Sequence, residues 1–307
     1  MPRFAPHLKR LAHVAGGLAC VVAAALLVRR GLQLGNALGS ELERIPVQAF
    51  LLAFLASLFG AFLLGVAWCV LVRLTAGHGL SMRMLLVGHL RAQVAKYLPG
   101  NVFHLAFRHV AAHRQGVSHA RLGFALVLES VLVLAAAGML GFGIATDPRL
   151  VRLAPSAPCV VWIAPCLALA AWPALSLVAR RMHLPQLAAR RTAPWFALSL
   201  AVYLVSFLAS TAALRSLADT PTALPWSAWC GWLALAWAVG YVTPGAPAGL
   251  GLREAVLALG LAPVFGEAGA LALALAYRLL TVASDGVLAL AGFLLPMPGA
   301  AEPARDG

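Results

Sequence analysis

The stretch "GYVTPGAPAGLGLREAVLALGL", Gly240–Leu261, decides how this chain is read. Pro244, Gly245, Pro247, Gly249 and Gly251 crowd ahead of the pair Arg253-Glu254, and an apolar helical pattern follows. In a soluble protein such a stretch is a surface loop. Here about twenty apolar residues precede it and a similar run follows, so it interrupts membrane-length segments.

Working outward, the whole chain has the composition of a membrane protein. Of its 307 residues 62% are hydrophobic and only 11% charged, with mean hydropathy +0.89. That leaves too little polar surface to coat a globule. Apolar runs near 11–28, 47–72, 122–145, 157–178, 194–214, 226–243 and 268–295 reach or approach the length that crosses a hydrocarbon core as helix. The short alternating segments of a β-barrel are missing. The expectation is an all-α polytopic membrane protein of about seven to eight spans, with two Pro/Gly-broken helical segments near 82–116 and 240–266 that either re-enter or cross the membrane. Residues 1–296 read as one integral membrane domain and 297–307 as a disordered tail.

The first run reads as a retained span rather than a secretory signal, since it ends in Arg29-Arg30 without a small-residue cleavage site. Cys20, Cys69, Cys159, Cys166 and Cys230 lie in apolar runs without CxxC spacing, which argues against disulfides and metal. Net charge is +13, and topology accounts for it. Alternate loops place fourteen Lys and Arg on one face and six on the other. The richer face is expected to be the cytoplasm, with the N-terminus in it, although Arg29 and Arg30 then stand on the opposite side. Basic residues dispersed among spans are a poor nucleic-acid surface.

A second broken segment, "AKYLPGNVFHLAFRHV" (Ala95–Val110), has the spacing of the first. Arg108 follows Pro99-Gly100 as Arg253 follows Pro244-Gly245, the arginine nine residues after the proline each time. Proline removes a helix donor and glycine relaxes the backbone, so each pair can end one half-helix and start another. In lipid, the freed backbone groups must be buried in protein or face a wet cavity. Paired interruptions are a mark of discontinuous transporter helices; two ordinary interfacial loops are the plainer alternative. Span counting puts both segments on the cytoplasmic side, whereas inverted repeats place them on opposite faces. Insertion of 82–98 into the membrane removes the conflict. Its stripe of His89, Gln93 and Lys96 permits insertion, and equally an amphipathic helix at the interface.

Charge within apolar runs is costly, about 2.5–3.5 kcal/mol for Asp at a helix centre. Glu129, Glu254 and Asp285 all fall in or beside such runs. They are expected to partner Arg253, Arg278, Arg108 or Lys96, either to fix helix register or to orient arginines toward an anion. Guanidinium forks suit phosphate, so Arg108, Arg253 and Arg278 are the candidate headgroup contacts. Glu129, Glu254 and Asp285 are the candidate orienting or proton-coupling groups. His109 and His113 at i, i+4 lack the glutamate of HExxH and read as interfacial. No nucleotide, dinucleotide or serine-hydrolase signature is present in context, and no cofactor is expected.

"TPGAPAGLGLREAVLALGL" resembles the "PGGxGxRE" signature of the lysylphosphatidylglycerol synthase transmembrane-region family, and "KYLPGNVFHLAFR…GVS" is similar to that family's "LPGxxGxxxR…G" segment. Tyr277-Arg278 also fits, and the resemblance extends over about 46–295. Ala246-Pro247-Ala248 stands where the family has a compact glycine pair, and Asn101-Val102-Phe103 lacks its early glycine. The resemblance implies a flippase-like function in the bacterial inner membrane without the soluble aminoacyl-transfer activity. Its substrates would be phospholipids, aminoacylated phosphatidylglycerol, hopanoid-type lipids or polyprenyl-phosphate sugars. The alternatives are a membrane-embedded lipid transferase using Glu129, Glu254 or Asp285 as base, and an accessory subunit of a glycosyltransferase or lipid synthase.

Overall fold

The computed structural model describes residues 6–76, 79–98, 103–147 and 193–296. They form eight helices: α1 (Pro6–Glu43), α2 (Val47–Ala76), α3 (Met82–Ala92), α4 (Phe103–His113), α5 (His119–Gly141), α6 (Ala193–Ser216), α7 (Trp226–Val242) and α8 (Leu252–Leu294). There is no strand among the described residues. Five segments of the described residues are long and apolar enough to cross a membrane: Val14–Glu43, Val47–Ala76, His119–Ile144, Pro194–Ser216 and Pro247–Leu294. The sequence-predicted span at 157–178 and the tail 297–307 lie outside the described residues.

α8 is the ruler of the bundle. Pro263 removes a helix donor, and Gly266, with φ 70° and ψ 169°, turns the chain sharply. Glu254 lies twelve residues before Gly266 and Arg278 twelve after, each about 18 Å along its arm, yet their side chains are 3.2 Å apart. The two arms therefore double back on one another with Gly266 at the apex. We call the two ends of the bundle the Gly266 end and the Leu295 end.

α7 runs antiparallel to the first arm of α8. A Cβ on Gly260 would strike Trp232, and one on Gly240 would strike Arg253, so the two helices touch at both levels. Trp229 and Phe265 meet at the base, with ring centroids 5.5 Å apart. These elements are one hairpin rising from the Gly266 end, and its tip is the 243–251 loop. The tip is level with Arg278, some way along the second arm of α8. The predicted span 226–243 coincides with α7, one arm of this hairpin. It has 17 residues, about 26 Å of helix.

α3 and α4 form the other hairpin, and it starts from the Leu295 end. Ser81 caps α3 by accepting from the Met84 N–H at 3.3 Å. The helix then descends antiparallel to α8, its Arg91 donating to the Gly292 carbonyl at 2.7 Å. It tightens into a 3-10 segment, Gln93–Tyr97, which delivers Lys96 and Tyr97 to Asp285. Pro99 and Gly100, the predicted break, lie outside the described residues; α4 returns beside α3. The segment 82–98 therefore inserts into the bundle rather than lying across its end. The two hairpins enter the bundle from opposite ends.

The rest is a frame for these hairpins. α2 and α6 are antiparallel partners, fastened where Ser206 Oγ donates to the Gly60 carbonyl at 2.8 Å. α5 starts beside the end of α2, where Arg121 reaches the Ala76 carbonyl. It ends against the start of α7, where a Cβ on Gly143 would collide with Ser227. α1 packs on α8. Buried Trp68, Trp229, Tyr203 and the leucines around them fill the layers between α2, α5, α6 and α7. Cys20, Cys69 and Cys230 are buried free thiols; Cys159 and Cys166 lie outside the described residues.

Candidate functional site

A cavity of about 170 Å³ lies between the 3-10 segment and α4 of one hairpin and the 243–251 loop and Arg253 of the other. Arg108, Glu129, Arg253, Arg278 and Asp285, five of the six charged residues singled out in the sequence, line it. Glu254 stands just behind, in an adjoining cavity of about 40 Å³ that shares Arg253 and Arg278. Residues separated by up to 177 positions in the chain thus converge through folding of the hairpins onto α8.

On the side of the α3–α4 hairpin, Arg108 is paired to a carboxylate within the protein, its Nε alone buried without a hydrogen-bond partner. Its two terminal nitrogens donate to the Glu129 carboxylate at 2.8 and 3.0 Å. The Trp68 ring lies 4.5 Å from the guanidinium carbon, and His89 Nδ1 is 3.3 Å from Nη1. Gln93 in turn meets His89 Nε2 at 2.8 Å. Arg108 is 5% exposed. This is a desolvated, bidentate ion pair between α4 and α5, the register-fixing alternative among the sequence expectations.

In the middle, Asp285 ties the α3–α4 hairpin to α8. Lys96 Nζ is 2.5 Å from its Oδ2, and Tyr97 donates to the same oxygen at 2.6 Å. Arg278, seven residues before Asp285, makes no bridge to it, as the two-turn spacing requires. Instead Arg278 Nη1 donates to the Ala248 carbonyl at 3.3 Å, and its Nε lies 3.2 Å from Glu254 Oε1 as an ion pair.

The α7–α8 tip is built around unusual backbone. Gly245, Gly249 and Gly251 have φ of 81°, 70° and 82°, and Ala248, a rare non-glycine case, has 48°. Left-handed geometry explains the glycines at these positions. Glu254 Oε2 accepts from the Gly251 N–H at 2.6 Å and so closes the start of α8. The Arg253 side chain then passes between Gly240 and Gly249, where a Cβ on either residue would come within 2.6 Å of its Nε. Its guanidinium carbon is 5.5 Å from the Trp237 ring centroid. Among the described residues no carboxylate pairs with Arg253, and its Nε is buried without a hydrogen-bond partner.

Four cations therefore face three carboxylates here, and the surplus charge sits on Arg253. Sequence reasoning missed the aromatic and neutral polar lining, namely Tyr97, Tyr203, Trp237, Tyr241 and His104. Polar residues inside apolar runs were the available signal for the tyrosines. His109 and His113 stack with His119 at the Leu295 end and do not line the cavity. The chain matches no family model and no curated protein.

Proposed function

We propose that this chain is a flippase-like protein of the bacterial inner membrane that binds or moves an anionic lipid, the headgroup occupying the cavity between the two hairpins. The observation that carries the reading is the unpaired Arg253 guanidinium. Holding a cation at membrane depth costs about 2.5–3.5 kcal/mol on insertion scales, and a phosphate accepting its free N–H groups offsets that cost. The start of α8 at Leu252 adds its dipole to the same side of the cavity. Arg278 supplies a second guanidinium with a buried, unused Nη2.

In this reading the hairpins are re-entrant, one from each leaflet, and the site lies near the bilayer midplane, where transporters with inverted repeats place theirs. The Leu295 end carries Arg73, Arg83, Arg91, Arg114 and Arg121, so in this reading it faces the cytoplasm. Arg108 acts through Glu129 by holding α4 to α5, while Arg253 and Arg278 meet the phosphate. The similarity of the two Pro-Gly segments to the lysylphosphatidylglycerol synthase transmembrane region supports the same class. A transferase reading gains nothing from the geometry, because Glu129, Glu254 and Asp285 are each engaged by a cation or a backbone N–H.

The test is reconstitution in liposomes with a leaflet-specific assay over labelled phospholipids and polyprenyl-phosphate sugars. Wild-type protein should move one anionic class, and Arg253→Gln should reduce that movement at least tenfold while remaining folded. Unchanged movement in the variant would sink the assignment of Arg253.

A further inference from the structure

Outside the central site, an apolar groove of about 470 Å³ runs between α1 and the first arm of α8. Ala23, Leu26 and Leu27 form one wall, and Ala255, Ala258 and Ala262, a small-residue stripe at i, i+3 and i+7, form the other. Alanines on a helix face that meets a neighbour leave space between the helices that larger side chains would fill. The mouth is polar and lies at the Gly266 end. There Arg30 pairs with Glu267 and holds Gln33 at 3.1 Å, while Arg29, also on the groove, has no carboxylate partner among the described residues.

Two features select the occupant. The α1 wall runs from Ala23 to Gln33, about 15 Å of helix, half of a hydrocarbon core of about 30 Å. The groove is therefore one leaflet deep. Its charge is that of a phosphodiester's partner: a free guanidinium at headgroup level beside a neutralised Arg–Glu pair. Arg29 and Arg30 are two of the six Lys and Arg that span counting leaves at the end poor in them.

We propose that this groove binds one anionic phospholipid from the leaflet at the Gly266 end, an acyl chain lying against the alanine stripe and the phosphate on Arg29. This site is separate from the cavity and does not depend on what the cavity holds. It lies alongside the contacts that seal α1 to the hairpin tip. A Cβ on Gly251 would come within 2.8 Å of the Cys20 carbonyl and the Ala24 nitrogen, and one on Gly16 would strike the Pro244 carbonyl.

Native mass spectrometry of the full chain from mild detergent, with phosphatidylglycerol or phosphatidylcholine added, tests the proposal. The measurement is made in an Arg253→Gln background as well as in wild type, so that lipid held by the cavity is counted separately. Phosphatidylglycerol should be retained over phosphatidylcholine in both backgrounds. Arg29→Gln should lower that retention at least fivefold, with Arg29→Lys restoring part of it. Ala258→Trp, which fills the groove without touching charge, should remove the adduct while the thermal midpoint shows a folded chain. Equal retention of the two lipids, or an Arg29→Gln variant that binds as wild type, would mean that the groove holds bulk lipid without selection. Loss of adduct in the Arg253→Gln background alone would assign the lipid to the cavity and overturn the groove site.

Discussion

The two hairpins carry the same spacing from proline to arginine and use their arginines in opposite ways. Arg108 of the α3–α4 hairpin is enclosed by Glu129, Trp68 and His89. Arg253 of the α7–α8 hairpin is threaded between two glycines and reaches the cavity with no carboxylate of its own among the described residues. A repeated motif fixes where a cation is delivered, and the facing helix decides what it does there. α5, outside the α3–α4 hairpin, presents Glu129 to Arg108, whereas α7, the other arm of Arg253's own hairpin, presents Gly240 and Trp237 to it.

The sharpest way to break this contrast is to remove one partner of each pair. Arg108→Ala leaves Glu129 buried and uncompensated, and should cost about 3–5 kcal/mol of stability. Glu129→Gln should act in the same direction. Replacing both, as Arg108→Met with Glu129→Leu, should recover most of the loss, because two desolvated charges disappear together. Arg253→Gln should leave stability close to wild type, since no ion pair is broken. Chemical denaturation in detergent measures all four. Equal destabilisation by Arg108→Ala and Arg253→Gln would erase the distinction.

A smaller effect comes from the slot that aims Arg253. In Gly240→Ala the new Cβ would lie 2.6 Å from both Cγ and Nε of Arg253. The side chain must leave its path or push α7 from α8, at a cost of about 1–3 kcal/mol for an overpacked site. Binding of an anionic lipid should fall about tenfold although no charge has changed. Gly286→Ala, with nothing near its Cβ, is the matched control and should leave binding unaltered. A Gly240→Ala variant that binds as wild type would show that Arg253 needs no slot.

The sequence made the membrane class, most helices and five of the cavity-lining charges legible, because hydropathy and charge cost are local properties. It also located the interruption ahead of Arg253, where Gly245, Gly249 and Gly251 have positive φ. It did not reveal that 226–243 pairs with the first arm of α8 as a hairpin, because the reversal at Gly266 that turns α8 back is a backbone event with only Pro263 and a glycine to announce it. The pairing of Arg108 with Glu129 but not with Asp285 was likewise hidden, since it depends on which helix faces α4. Lys96 and Tyr97 reach Asp285 only because α3 tightens into a 3-10 turn at the right depth.

The mildest test compares the backbone of the second tip with an unstrained version of itself. Ala248 holds φ 48° and ψ 23° in a loop whose other left-handed residues are glycines. Left-handed geometry costs an L-residue roughly 1–2 kcal/mol, and glycine gives back about 0.5–1 kcal/mol of that through greater freedom when unfolded. Ala248→Gly should therefore stabilise the chain by less than about 1 kcal/mol. The Ala248 carbonyl, which accepts from Arg278, is unchanged, so lipid binding should hold. A fall in the thermal midpoint would mean that the buried Ala248 methyl group contributes more by packing than its backbone costs. The tip would then owe its shape to side-chain contacts as well as to glycine, as the Arg108 layer of the other hairpin does.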